Sequence, residues 1–132
     1  MKVLAIDLGT KRSGFAISDP AGGFAMALPT LEDATAVDAA RVAEEQGAEA
    51  VVVGLPLNMS GTAGPAAERT MAFVDELRCL LNIPVDTWDE RLSTSEGERR
   101  LREHGLNRKE RAKRSDAAAA IVILESYLRR KR

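Results

Sequence analysis

Four acids in this chain sit where acids are costly. Asp7 closes the apolar run Val3-Leu4-Ala5-Ile6, Asp89 and Glu90 follow the strand-like Ile83–Trp88, and Asp116 opens the apolar stretch DAAAAIVILESYL. A carboxylate against buried apolar chain is unfavourable unless it is paired, hydrogen-bonded or bound to a cation. Several brought to one point repel one another unless they are protonated or bridged by cations. Hard cations such as Mg²⁺ take oxygen ligands and keep several waters, so two or three carboxylates suffice to hold one. Two such ions about 3.5–4 Å apart activate a water and stabilise the leaving oxygen in phosphodiester cleavage. The plainer account of Asp7 is that it accepts hydrogen bonds from the turn after it, and an Asp-x-Gly alone does not decide between the two.

These acids meet only if the elements beneath them converge. Lys2–Ser18, KVLAIDLGTKRSGFAIS, reads as two strands joined by a tight polar turn, with Phe15-Ala16-Ile17 in the second. DPAGG at Asp19–Gly23 is a further turn, and Phe24–Leu28 reads as a third strand ending near Pro29. Short connections make these three an antiparallel meander. Ala34–Gln46 repeats its apolar residues at helical spacing, with Asp33 or Thr35 to cap its start and Gly47 to stop it. Ala50–Leu55 (AVVVGL) is a buried strand, Pro56–Pro65 a loop of the kind that lies over a site, and Ala66–Leu81 a helix. Ile83–Trp88 is the fifth strand. Ser93 and Glu96 form a capping box for a charged helix that ends at His104-Gly105, Asn107–Arg114 is a basic connector, and Ser115 caps the last helix.

The order β-β-β-α-β-α-β-α-α predicts an α/β fold: a five-stranded mixed sheet, three strands in an antiparallel meander and two parallel, with helices on both faces. Its length, 132 residues, suits one domain over 1–132. Sites in such sheets gather at the carboxyl ends of the parallel strands. If the fourth strand lies between the first and the fifth, Asp7 and Asp89-Glu90 end up side by side.

A net charge of −1 conceals an asymmetry: residues 1–98 carry 7 Lys/Arg against 16 Asp/Glu, and residues 99–132 carry 12 against 4. An acidic body with a basic end suits a polyanionic partner there, although a solvated basic helix has the same composition. Cys79 is the only cysteine, which excludes a disulfide framework and a thiolate metal cluster, and its helical setting reads as a small core residue. There is neither a membrane-spanning apolar stretch nor a signal-peptide pattern, so a cytoplasmic protein is expected. With aromatics at 4%, base stacking on single strands is poorly supported.

IDLGTKRSGFAISD, VVVGLPLNMSGTAGP, DERLST and KRSDAAAAIVILESYL, in that order, resemble the YqgF/RuvX family of RNase H-like nucleases, itself similar to Holliday-junction resolvases. The likeness runs nearly the whole chain. It implies an RNase H-like fold and a nuclease that matures the 5′ end of the small-subunit ribosomal RNA precursor. It also implies a divalent cofactor, Mg²⁺ or Mn²⁺, held by Asp7, Glu90 and Asp116. Related resolvases carry an acid on the fourth strand, where this chain reads Gly54-Leu55-Pro56. Resolvase action is therefore less secure than nuclease action, and Asp89 stands in reserve for the missing ligand.

Around that set, Arg12, Arg91, Lys113 and Arg114 are placed to touch phosphate, though Arg12 and Arg91 could equally pair with a carboxylate. Asn58, Ser60 and Thr62 could meet a nucleic-acid backbone from their loop or simply make its turn. Structured RNA is the expected partner and branched DNA the alternative, with no membrane; a homodimer stays open. Two rival readings remain. One is an actin-like phosphotransferase, disfavoured because such proteins need two domains and no Walker-type loop is present. The other is a non-catalytic nucleic-acid-binding module, which neutralising Asp7 should leave functional.

Overall fold

The computed structural model describes residues 1–58, 60–92 and 108–131, with side chains through Arg91 and, in the last helix, from Ala118 to Arg130. The strands are β1 (Val3–Asp7), β2 (Arg12–Ser18), β3 (Ala25–Glu32), β4 (Ala50–Leu55) and β5 (Val85–Asp89). The helices are α1 (Ala36–Gln46), α2 (Pro65–Leu80) and α3 (Arg108–Lys131), and Glu90–Leu92 is a short 3-10 turn after β5. The strands form one sheet in the order β3-β2-β1-β4-β5. β1 is antiparallel to β2 and β2 to β3, whereas β4 runs parallel to both β1 and β5. The fourth strand does lie between the first and the fifth.

Strand alternation sorts the side chains into two cores. Leu4, Ile6, Phe15, Ile17, Val51, Val53 and Val85 face α1 and α2, where Ala39, Val74 and Leu77 complete a cluster. Val3, Ala5, Ala16, Ala50 and Val52 face α3 and meet Ala120, Ile123, Leu124 and Tyr127. β1 and β4 are therefore apolar at every position before their ends, as strands covered on both faces must be. Phe15 has no exposed surface, and truncating such a residue to Ala costs about 3–5 kcal/mol.

Local chemistry explains the boundaries. Thr35, not Asp33, caps α1: its hydroxyl accepts from the Asp38 N–H at 3.2 Å, while the Asp38 carboxylate accepts from the Thr35 N–H at 2.9 Å. Gly47 ends the helix at φ 67°, the left-handed conformation that favours glycine. The third strand continues through Pro29 to Glu32 instead of stopping there. Ser13 pairs with Leu31 and Phe15 with Leu28, so Pro29 and Thr30 together oppose Gly14 in a bulge. β3 is an edge strand, and a bulge there tolerates a residue that has no N–H to give. Cys79 is exposed rather than a core residue; α2 turns Thr70, Phe73, Val74 and Leu77 inward instead.

The last helix differs most from expectation. It begins at Arg108 and passes without interruption through Ser115 and Asp116 to Lys131. The expected basic connector is thus largely helical, because Arg, Lys and Ala are strong helix formers and the segment contains neither Gly nor Pro. Ser115 is not a cap. The expected helix from Ser93 to His104 lies outside the described residues. Among the described residues no helix is long and apolar enough to cross a membrane.

Candidate active site

Asp7 is the last residue of β1 and, by alternation, shares the face of Val3 and Ala5 that α3 covers. Both its sheet neighbours are glycines. Gly14 is its partner on β2. On β4 the register Ile6–Val53 continues to Asp7 and Gly54. Gly54 in turn is paired with Trp88 on β5, and Glu90 lies two residues beyond Trp88. Three parallel strand ends therefore present acid, glycine and acid on one face.

The central glycine makes this arrangement possible. A Cβ on Gly54 would stand 2.6 Å from Glu90 Oε1, 2.9 Å from Glu90 Cγ and 2.6 Å from Ile123 Cδ1. The Glu90 side chain thus lies back over the bare backbone of β4, with α3 above it, and reaches Asp7. Burial there, a hydrogen bond given to the Asp7 carboxylate, and the charges of Asp7 and Asp89 push the Glu90 pKa up to about 9. At neutral pH Glu90 therefore keeps its proton and gives it in that hydrogen bond, as expected of a buried acid beside like charge. Gly54 was legible from the sequence only as a missing acid. Its role as the seat of Glu90 was not, although a glycine closing a β-branched run signals close approach.

The turn after Asp7 is equally tight. A Cβ on Gly9 would collide with the Arg12 carbonyl oxygen, and the Gly9 N–H donates to Ser13 Oγ at 3.2 Å. Arg12 opens β2, and alternation gives it the face of Gly14 and Ala16. Beneath the acids, Trp88 and Tyr127 stack edge to face with centroids 6.1 Å apart, and Arg130 lies 5.9 Å from the centre of the Trp88 ring. Tyr127 Oη donates to Asp86 Oδ2 at 2.6 Å. Burial, then that bond and the Asp86 charge, push the tyrosine pKa up to about 12. These groups wall the site on the side away from the strand ends.

Asp89 does not join Asp7 and Glu90. It is paired with Leu55 on the other phase of β5, and Arg91 takes both of its oxygens, through Nε at 3.1 and 2.9 Å and Nη2 at 2.6 Å. That guanidinium holds the Asp89 carboxyl below the usual carboxylate range. In the loop, Asn58 Nδ2 donates to Thr62 Oγ1 at 3.1 Å, and the Ser60 and Thr62 hydroxyls are 3.0 Å apart. The turn-making account of these three residues is accurate as far as it goes, yet all three remain exposed.

Lys113, Arg114 and Asp116 lie on α3. Because the helix starts at Arg108, Asp116 is two turns inside it, not in its first turn. α3 sets Tyr127 against Asp86 and Ile123 against Gly54, so the helix before Ile123 leads toward the strand ends where Asp7 and Glu90 stand. Its other end carries Arg129, which lines a cleft with the Gly22–Ala25 segment, away from the acids. Among the described residues no group of three His, Cys, Asp or Glu is gathered closely enough to hold a metal. Asp7 and Glu90 are the two acids that meet at the strand ends.

In fold, the chain is similar to the fowlpox virus Holliday junction resolvase, with a TM-score of 0.62 and 14% identity over 98% of this chain and 99% of that one. It is similar to T. thermophilus RuvC in complex with a Holliday junction substrate at TM-score 0.60 and 17% identity, covering 99% and 96%. At such identities the likeness fixes the RNase H-like architecture alone. Relatives in sequence are much nearer. Proteins of Geobacillus thermodenitrificans (44% identical, all of both chains) and Listeria monocytogenes (42%, 97% of both) are each named "Putative pre-16S rRNA nuclease". A family described as "RuvX: Holliday junction resolvase" matches residues 1–130. The chain belongs to the RuvX family.

Proposed function

We propose that this chain is a metal-dependent nuclease, a single domain over residues 1–132 that hydrolyses phosphodiester bonds of structured nucleic acid. Its natural substrate in this reading is the 5′ region of pre-16S rRNA in the cytoplasm. The observation that carries the proposal is the Asp7–Glu90 pair over Gly54, two carboxyls from the ends of β1 and β5 that meet across β4, the Glu90 one held protonated there. That proton would be displaced to solvent by a bound cation, and an all-oxygen donor set suits Mg²⁺ or Mn²⁺. Asp7, Glu90 and Asp116 would hold the ion. When bound, it would lower the pKa of a coordinated water and neutralise charge on the leaving oxygen.

The chain's own groups do the remainder. Gly14 leaves the strand beside Asp7 bare on the β2 side, and Gly54 gives the Glu90 side chain its seat over β4. Ile123 and Trp88 close the apolar side, which lowers the local dielectric and strengthens every charge interaction within. Glu90, protonated in the metal-free protein, would lose that proton to solvent in order to serve as a ligand. Arg12, Lys113 and Arg114 supply positive charge that draws a polyanion toward an acidic body.

The name carried by the 42–44% identical relatives supports RNA as the substrate, and the description of the matched family supports a four-way DNA junction as the second to test. Purified protein is offered structured RNA, duplex DNA and a four-way junction, each with Mg²⁺ or Mn²⁺, beside Asp7→Asn and Glu90→Gln. The expected result is cleavage of the RNA that EDTA and either substitution abolish. Cleavage that persists in EDTA, or full activity in Asp7→Asn, refutes the reading.

A further inference from the structure

Asp89 and Arg91 flank Glu90 in sequence but face another element. Arg91 is fixed by three side-chain bonds to Asp89, and its own N–H donates to Asp89 Oδ1 at 3.0 Å. Its guanidinium lies on the tip of the Pro56–Pro65 loop, where a Cβ on Gly61 would be 3.3 Å from Nη1. Gly61 has φ 86°, and its N–H closes the turn onto the Asn58 carbonyl at 2.8 Å. The Asn58 N–H bonds the Thr62 carbonyl at 3.0 Å, so the loop that carries the Ser60 and Thr62 hydroxyls is itself pinned.

Stability does not account for this construction. Asp89 and Arg91 sit at the surface, and an ion pair there contributes at most about 1 kcal/mol. What a bidentate fork does supply is orientation, because a planar guanidinium gripped along one edge cannot swing.

The geometry points to Asp89 and Arg91 as a positioning pair: Asp89 holds the Arg91 guanidinium against the Gly61 turn, so that it and the Ser60 and Thr62 hydroxyls receive one backbone phosphate of a polynucleotide next to the phosphate at Asp7 and Glu90. Asp89 is then the holder of a phosphate contact and not a metal ligand. The inference rests on the nucleic-acid reading above and deepens it, dividing Asp-Glu-Arg into a central acid for the reaction and outer residues for grip.

The test separates the two. Binding of a fluorescein-labelled RNA hairpin and a labelled DNA duplex is followed by anisotropy from 50 to 200 mM KCl, in EDTA and again in Ca²⁺. The proteins are wild type, Asp89→Asn, Arg91→Gln, Arg91→Lys and the Asp89→Asn/Arg91→Gln double variant. A surface acid of no special role repels a polyanion, so removing it should tighten binding; the positioning role demands that Asp89→Asn weaken it severalfold. Arg91→Gln should weaken binding and lower the log–log salt slope by about 0.7–0.9, one phosphate contact. Arg91→Lys should keep the slope but lose affinity, and the double variant should bind no worse than Arg91→Gln. Tighter or unchanged binding by Asp89→Asn, or additive losses in the double variant, overturns the pair. So does failure of the wild type to bind either probe. Tight binding without cleavage would instead leave the pair standing and remove the nuclease.

Discussion

Glu90→Gln should stabilise the metal-free protein, and increasingly so as the pH rises. The folded protein keeps Glu90 protonated up to a pKa of about 9, whereas in the unfolded chain the same group ionises near the ordinary glutamate value of about 4.3. Between those values the unfolded state binds fewer protons, so stability falls with pH across the window. A raised folded-state pKa makes its contribution fully present below the unfolded pKa and lost as pH climbs through the folded one. Each pH unit inside the window is worth at most about 1.4 kcal/mol, which sets a ceiling of about 4 kcal/mol at pH 7. Asp7 and the partial exposure of Glu90 reduce this, and about 1–3 kcal/mol at pH 7 is expected. Gln retains an N–H to give Asp7 and has no proton to lose. Urea unfolding in EDTA at pH 5, 6, 7, 8 and 9 gives the difference between the two proteins, in which every other titrating group cancels. The gap should be small at pH 5 and widen steadily to pH 9. A constant gap, or a variant less stable than wild type at pH 8, refutes the protonated Glu90.

Gly54→Ala places a methyl 2.6 Å from both Glu90 Oε1 and Ile123 Cδ1; it should cost about 1–3 kcal/mol as an overpacked site and reduce the thermal shift caused by Mn²⁺, both read in melts with and without the ion. Tyr127→Phe removes the bond to Asp86, at a cost of about 1.5–3 kcal/mol for a charged acceptor, less for its partial exposure. The wild-type advantage should hold below pH 10 and vanish as pH rises through about 12, and denaturant melts at pH 8 and 11.5 compare the two. Asp116→Asn, two turns inside α3, has no helix terminus to serve, so its metal-free stability should change by under about 0.5 kcal/mol while the Mn²⁺-induced shift shrinks. An undiminished shift with full cleavage activity takes Asp116 out of the site.

The place of Asp7 at the end of β1 was readable because the apolar run stops there, but its face was not, since Val3–Ile6 are apolar on both sides of the sheet and carry no phase. The meeting of Asp7 and Glu90 across β4 depended on the order β1-β4-β5, which a sequence suggests but does not dictate. Helix α3 was misjudged at its start because five cations in the eight residues Asn107–Arg114 look like a solvated connector. Lys and Arg are also good helix formers, and local propensity had nothing there to oppose it. Cys79 misled for the opposite reason: a residue type usually buried sat on a helix whose inward stripe was already filled by Phe73, Val74 and Leu77. Gly54 could not be understood alone, since its meaning is the side chain of Glu90, 36 positions further on.

The sheet's two rims bear on how the protein behaves in a crowded solution. An open strand edge is a template on which another chain can add, and it is the starting point of β-aggregates. On β5, Val51 takes the Pro84 carbonyl, so alternation turns the Val85 carbonyl outward, where Arg78 covers it through Nε at 3.1 Å and Nη2 at 2.8 Å. On β3, the bulge and Pro29 break the repeat that an added strand would have to match. One rim is capped by a cation on α2 and the other is put out of step by an imino acid. The five-stranded sheet therefore resists growth at either end, and losing Arg78 would expose a docking edge without touching the face that carries Asp7 and Glu90.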